Sequence, residues 1–162
     1  MYKIIYATKN DIPLIRELTF KVWPQTYADL LTKEQIDYML ELMYSIESLE
    51  KQMEEGCRFI IVYDEKDAVG FASFQHLENY IYKLQKIYIL QSQQGKGTGN
   101  FVINYIIDEI KSAGGKALRL QVNRHNKAKD FYSRIGFVVI DEIKLDIGNG
   151  FFMDDFIMEK EF

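Results

Sequence analysis

The sequence is poorest in cysteine and proline, and both shortages limit its architecture. Cys57 is the only cysteine among 162 residues, so an intrachain disulfide is impossible and a zinc site built from several thiolates is excluded. The two prolines, Pro13 and Pro24, both lie near the N-terminus, and no Pro-rich, Gly/Ser-rich or repeated segment divides the rest. We therefore predict a single domain over residues 1–162 in a reducing, cytoplasmic setting.

Long apolar runs and an excess of positive charge are also missing. No stretch approaches the roughly 20 apolar residues of a membrane span, and residues 1–6 lack the features of a signal peptide. The net charge of −4 gives no support to binding of nucleic acid or anionic membranes. Hydrophobic residues make up 48% and charged residues 27% of the chain, which is typical of a globular protein. We expect neither a nucleic-acid nor a membrane partner.

Apolar periodicity predicts the element order β-α-α-α-β-β-β-α-β-α-β-β, an α/β mixture with antiparallel hairpins first and crossovers later. Asp11 is placed as the N-cap of the first helix and Pro24 as its end, while Thr32 and Ser45 are placed as caps of the next two helices. The predicted strands are 2–7, 58–63, 69–75, 80–90, 118–122, 137–140 and 151–159.

The strongest local signal is the glycine-rich loop Gln-Gly-Lys-Gly-Thr-Gly at residues 94–99, between a predicted strand and an amphipathic helix. Glycines let successive backbone N–H groups face one concavity, and the helix N-terminus adds free donors and partial positive charge. The segment therefore predicts a pyrophosphate cradle, with Lys96 adding charge at its rim. The alternative is a purely structural strand-to-helix turn, which needs glycine only for its backbone conformation.

Three spacings of phosphate-binding loops can be compared with this segment. It lacks the G-x-x-x-x-G-K-[ST] spacing of a P-loop and the G-x-G-x-x-G spacing of a dinucleotide site. No acidic residue ends the following strand, where residues 121–123 are Gln-Val-Asn. Gln94, Gly97 and Gly99 do match the coenzyme A signature Q/R-x-x-G-x-G/A.

With this signature the chain resembles the GNAT acetyltransferase family, most closely over residues 84–137. A second series, Leu120, Val122, Asn126, Ala128, Phe131, Tyr132, Gly136 and Phe137, is similar to the closing motif of that family. The resemblance implies a mixed, mostly antiparallel twisted sheet of about six or seven strands with a splayed central parallel pair. About four or five helices would flank the sheet.

The resemblance also implies acetyl-CoA as cosubstrate and no metal. It assigns the pantetheine arm to the backbone of Ile87, Tyr88 and Ile89, beside a β-bulge that aims an N–H at the thioester carbonyl. Asn126 would contact the same arm or order the strand-to-helix turn, and its alternative role, capping of the next helix, is compatible with either. The full set of expected cofactor contacts is Ile87, Tyr88, Ile89, Gln94, Gly95, Lys96, Gly97, Thr98, Gly99, Asn126 and Phe131.

Tyr132 matches the family tyrosine that protonates the departing CoA thiolate. A phenol of pKa near 10 stays protonated at neutral pH and can give its proton to a thiolate of pKa near 8.5. Its alternative role is core packing on the face that carries Phe131. No general base can be assigned, because residues 80–90 contain no Asp or Glu, and nothing in the spacing selects His76 or Glu78.

The acceptor side is expected among aromatic residues of the N-terminal helices, chiefly Trp23 and Tyr27. This arrangement looks like the family branch that acetylates polyamines and related small amines, since aromatic faces attract ammonium groups. Glu41, Asp154 or Asp155 would supply countercharge, and the alternative is that these aromatic residues only pack the helix joint. The predicted activity is acetyl transfer to a small primary amine by a monomer or homodimer. The alternatives are a non-catalytic acyl-CoA sensor and an enzyme acting on protein or peptide N-termini.

Overall fold

The computed structural model describes all residues from 1 to 162 and contains one seven-stranded sheet flanked by five α-helices. The strands are β1 (Tyr2–Tyr6), β2 (Arg58–Asp64), β3 (Asp67–Glu78), β4 (Ile81–Ile89), β5 (Ala117–Asn123), β6 (Val138–Gly148) and β7 (Phe151–Glu161). The helices are α1 (Ile12–Tyr27), α2 (Lys33–Tyr44), α3 (Ile46–Glu54), α4 (Thr98–Ser112) and α5 (Ala128–Arg134). None of the helices has the length and the apolar run needed to cross a bilayer.

The sheet has the order β1-β2-β3-β4-β5-β7-β6, and every neighbouring pair is antiparallel except β4 and β5. The parallel strands β4 and β5 pair with each other over four residues only, from Ile81 opposite Ala117 to Leu84 opposite Leu120. Beyond that point both strands continue without pairing to each other. The predicted fold class, strand number and splayed central pair are therefore confirmed.

Helices cover both faces of the sheet because strand side chains alternate between the faces. Ile60 and Val62 belong to a core of 17 buried residues that α4 shares. Phe59 and Ile61 belong to a second core of 12 buried residues on the side of α1, α2 and α3. Each face thus removes its own apolar surface from water, which provides the main driving force for folding.

The first helix differs from its predicted form at both ends. The prediction that Pro24 ends α1 is wrong, because the helix continues to Tyr27 and the Ala28 N–H donates to the Pro24 carbonyl at 3.1 Å. Proline removes only its own N–H donor, so one further turn can still form on its carbonyl side. Asp11 precedes the helix without capping it, since its carboxylate instead accepts from the Thr8 N–H at 2.8 Å.

The predicted caps of α2 and α3 are both present. Thr32 accepts from the Gln35 N–H at 3.1 Å and Ser45 from the Ser48 N–H at 3.2 Å. The Gln35 side chain does not complete a capping box, because it donates to the Phe152 carbonyl at 2.7 Å instead.

The C-terminal hairpin, β6 and β7, is longer than predicted, because β6 extends to Gly148 rather than to residue 140. Its turn, at Asn149 and Gly150, has positive φ at both residues, the conformation that an Asn-Gly pair adopts readily. The tip packs on α2, where the Tyr38 hydroxyl donates to the Ile147 carbonyl at 2.6 Å. This contact and that of Gln35 fix the hairpin against the N-terminal helices.

Candidate active site

A cleft of about 1020 Å³ opens where β4 and β5 separate. Ile87, Tyr88 and Ile89 line it from β4, and residues 120–123 line it from β5. The two strands form no ladder beyond Leu84 and Leu120, so backbone groups on their facing edges are free to bind an extended chain. The side chains of Ile87 and Ile89 pack against the core on the α4 side, as expected, which leaves the backbone for a ligand.

A β-bulge precedes the predicted pantetheine strand. Ser73 pairs with Lys86 and Phe74 with Leu84, so Gln85 is one extra residue on β4. Such a bulge bends the strand and redirects its N–H groups. It lies where the strands separate, in the position at which an oxyanion donor was expected.

The glycine-rich loop closes one end of the cleft. Gly95 and Gly97 have φ of 78° and 80°, which side chains rarely adopt, and Gly97 is the N-cap of α4. Gln94, Gly95, Gly97, Thr98 and Gly99 all line the cleft, so free N–H groups of the α4 N-terminus face it. Lys96 does not line the cleft.

Polar side chains of neighbouring elements anchor the glycine-rich loop. The buried Thr98 hydroxyl donates to the Tyr2 hydroxyl at 2.6 Å and lies 3.2 Å from Gln93 Oε1. The Gln93 amide in turn donates to Asp64 at 3.3 Å. The side chain of Thr98 therefore anchors the loop to β1, and only its backbone is available to a ligand.

The N-terminus of α5 forms the opposite wall. Asn126 Oδ1 accepts at 2.9 Å from the N–H of Ala128, the first residue of α5, so its side chain satisfies one donor at this helix end, although Lys127 holds the N-cap position. Phe131 lines the cleft and packs on the loop, where a Cβ at Gly99 would lie 3.2 Å from its ring. Glycine at position 99 thus allows α5 and the loop to approach closely.

Tyr132 lines the same cleft and is only 8% exposed. Its ring packs at 5.4 Å from that of Phe131 and 5.8 Å from that of Phe137. Burial raises the pKa of its hydroxyl, and the nearby Tyr27 raises it further, so the phenol is protonated at neutral pH. The structure places the proposed acid in the cleft while also giving it the packing role.

Four aromatic side chains, two from α1 and one each from α2 and β4, line one side of the cleft. Trp23 lies 4.5 Å from Tyr27, 5.5 Å from Tyr44 and 5.9 Å from Tyr88, centroid to centroid. It is only 2% exposed, which favours the alternative that it packs the helix joint. Tyr27 and Tyr88 bring their hydroxyls to 3.3 Å, and burial raises the pKa of both.

Asp155 on β7 is the functional candidate that the sequence did not single out as a base. It is 3% exposed, lines the cleft and pairs with Asn123 of β5. Burial raises its pKa to about 6, with a further rise from Asp154 and an opposing effect from Lys83. A carboxyl of this pKa can take up a proton near neutral pH.

The other charges considered from the sequence lie elsewhere. Neither Glu41 nor Asp154 lines the cleft, and Asp154 forms an ion pair with Arg124 at 3.3 Å. The charged residues that do line it are Asp29, Lys83, Lys86, Lys127, Arg134 and Asp155. Its wall thus has more positive than negative side chains.

Comparison with known proteins places these features in context. The profile of the acetyltransferase (GNAT) domain matches residues 27–153, more than three quarters of the chain. The chain is also similar to the ribosomal protein bS18 alanine N-acetyltransferase of Haemophilus influenzae, with 29% identity over 98 residues. That match spans 60% of this chain and 66% of the relative, slightly less than two thirds of its length.

Solved structures share the fold. The PaiA N-acetyltransferase of Thermoplasma acidophilum, in complex with coenzyme A, superposes with a TM-score of 0.83 at 23% identity, over 100% of this chain and 99% of that one. A chimera of spermidine N-acetyltransferase from Vibrio cholerae gives a TM-score of 0.72 at 20% identity, over 99% and 95% of the two chains. At these identities the likeness concerns the fold.

Proposed function

Because the chain belongs to the GNAT acetyltransferase family, we propose that it transfers an acetyl group from acetyl-CoA to a primary amine of a small molecule. The observation that carries the proposal is the cleft itself. It combines the separated edges of β4 and β5, free N–H groups at the α4 N-terminus, and Tyr132 in its wall. The loop provides a site for the pyrophosphate and the strand edges a site for the pantetheine arm.

Two side chains supply the proton transfers that the reaction requires. Asp155 accepts a proton from the incoming ammonium group, and the free amine then attacks the thioester carbonyl. N–H groups beside the Gln85 bulge stabilise the developing oxyanion. As the C–S bond breaks, Tyr132 gives its proton to the thiolate and regains one from the nitrogen, so that the amide and the free thiol result.

Replacing Tyr132 with Phe tests the acid directly. The hydroxyl forms no hydrogen bond within the protein, so the change retains packing and removes only the proton donor. We expect kcat to fall about 100-fold, the low end for general acids, because a thiolate is already a fair leaving group. The KM for acetyl-CoA should change by less than about twofold.

Tyr105→Phe is the matched control, since it removes a phenol that contacts Glu109 on α4, away from the cleft. Stopped-flow thiol release from both variants and the parent chain provides the measurement. An unchanged kcat in folded Tyr132→Phe would show that the phenol does not act as the acid.

A small acceptor is favoured by the way the C-terminal hairpin packs on α2. Gln35 and Tyr38 hold the hairpin backbone against α2, and Gln35 and Phe152 line the cleft beside this contact. A protein N-terminus, as in the name of the Haemophilus relative, is the second candidate on the strength of that similarity. The polyamine class suggested by Trp23 and Tyr27 would need several carboxylates, whereas the lining contains only Asp29 and Asp155.

A free-thiol release assay with acetyl-CoA separates these candidates. The acceptors should be simple alkylamines, polyamines, amino acids and a peptide with an N-terminal alanine. We expect thiol release that depends on a small acceptor. Tight acetyl-CoA binding without release for any amine would instead indicate a non-catalytic sensor.

A further inference from the structure

A second, smaller cavity of about 270 Å³ adjoins the acceptor side of the cleft. Both cavities are lined by the same three residues, Met43, Gln85 and Lys86, so they meet at the β4 bulge. The remaining lining of the small cavity consists of Gln52, Glu55, Cys57 and Gln75. This space has no role in binding acetyl-CoA as described above.

Lys86 is an unpaired cation at this junction. Its ammonium group lies 4.6 Å from the centre of the Tyr44 ring, and it takes part in none of the ion pairs of the structure. Lys83, earlier on the same strand, differs because it donates to Gln121 Oε1 at 2.6 Å. Burial lowers the pKa of Lys86 to about 8; Cys57 opposes that shift and Lys83 adds to it.

Such a cation is costly unless an anion accompanies it. Removing an ammonium group from water without a partner is unfavourable, and a ligand carboxylate would offset the cost. Glu55 does not fulfil this role, because its side chain is 59% exposed and lies 3.8 Å from Lys51. Gln85 is available to assist, since its amide contacts only Gln75, at the long distance of 3.5 Å.

We propose that the acceptor is an amine that also carries a carboxylate, which binds at Lys86 and Gln85 in the small cavity. The inference rests on the proposed function, because it describes the acceptor of that reaction. The same molecule would present its ammonium group to Asp155, the buried carboxylate of the cleft wall. Opposite charges on the two walls fit an amino acid better than they fit a polyamine.

Matched acceptors test this selectivity in the unmodified chain. Thiol release is measured for pairs that consist of an amino acid and the alkylamine with the same number of carbons. The amino acids are glycine, β-alanine, 4-aminobutanoate and 5-aminopentanoate. We expect at least one amino acid to show a kcat/KM at least tenfold above its matched amine. If every alkylamine equals or exceeds its partner, the inference is overturned.

Lys86→Met then identifies the group responsible. We expect kcat/KM for the preferred amino acid to fall at least tenfold, while that for the matched alkylamine changes by less than twofold. Lys86→Arg should retain part of the preference, and Lys66→Met, at the exposed β2–β3 turn, should retain all of it. An equal loss for both acceptors in Lys86→Met would overturn the inference. Thiol release that fails with every amine would count against acetyl transfer itself.

Discussion

Asp155 shows how its surroundings can turn an ordinary carboxyl into a proton acceptor. On β7 the neighbouring residues Asp154 and Asp155 project to opposite faces of the sheet. Asp154 turns to Arg124, whereas Asp155 turns into the cleft, where the charge of Lys83 on β4 opposes the rise that burial and Asp154 cause in its pKa. Burial has the largest effect on its pKa, so the base arises from position in the fold rather than from a sequence motif.

The pH dependence of turnover follows from this assignment. With a pKa of about 6, Asp155 is ionised and active as a base above that value, so kcat/KM should fall about tenfold per pH unit below it. Asp155→Asn should remove this acidic limb and lower kcat/KM about 100-fold or more. The measurement is a kcat/KM profile from about one pH unit below the pKa of Asp155 to about three units above it.

Asp154→Asn is the control for that profile. Removing the neighbouring negative charge should lower the pKa of Asp155 and move the limb to lower pH, with the plateau rate retained. If the profile of the parent chain has no acidic limb, or if the limb persists in Asp155→Asn, another group accepts the proton of the ammonium group.

Sequence and structure agree best where a residue acts through local chemistry. The caps Thr32 and Ser45, and the start of α4 at Gly97, were placed correctly because these features depend on neighbours in the chain. Asp155 could not be selected as a base, nor Lys86 as an anion-binding group, since burial and a missing counterion depend on elements far apart in sequence. The prediction that Pro24 ends α1 was wrong for a related reason, because packing of Trp23 in the helical core outweighs the tendency of proline to end a helix.

At the scale of elements, the loop and α4 act together. Gly97 has φ of 80°, and no atom lies within 4 Å of the position that a Cβ would occupy, so Gly97→Ala meets backbone strain but no steric clash. A non-glycine residue costs about 1–2 kcal/mol in this conformation, and relief of the strain would turn the N–H groups away from the phosphates. We expect the Kd for acetyl-CoA to rise at least tenfold, as measured by calorimetry.

Gly114→Ala provides the matched comparison. Gly114 follows the other end of α4 with φ of 87° and equally open surroundings. Both variants should lose similar thermal stability, yet only Gly97→Ala should lose affinity. Equal affinities would mean that the loop conformation does not matter for binding.

At the scale of the whole molecule, the cleft divides the sheet between β4 and β5. Only four residue pairs join these strands, so a ligand that spans the gap adds contacts between the two parts of the sheet. Saturation at about 100 times Kd stabilises a protein by about 2.7 kcal/mol, which corresponds to a rise in Tm of roughly 5–10 °C for a chain of this size. Thermal melting with acetyl-CoA should show such a rise.

ATP and NAD are the controls for this melt because they carry phosphates but no pantetheine arm. They should raise Tm by less than about 2 °C. An equal rise with NAD would favour the nucleotide-binding function that the loop spacing argued against.

The position of β7 also affects how the protein is made. This strand follows β6 in the chain, yet it lies between β5 and β6 in the sheet. While a ribosome is still synthesising residues 151–161, β5 has an open edge and β6 has no partner. The nascent chain can therefore complete its glycine-rich loop early, but it acquires Asp155, and with it this wall of the cleft, only after residues 151–161 have been added.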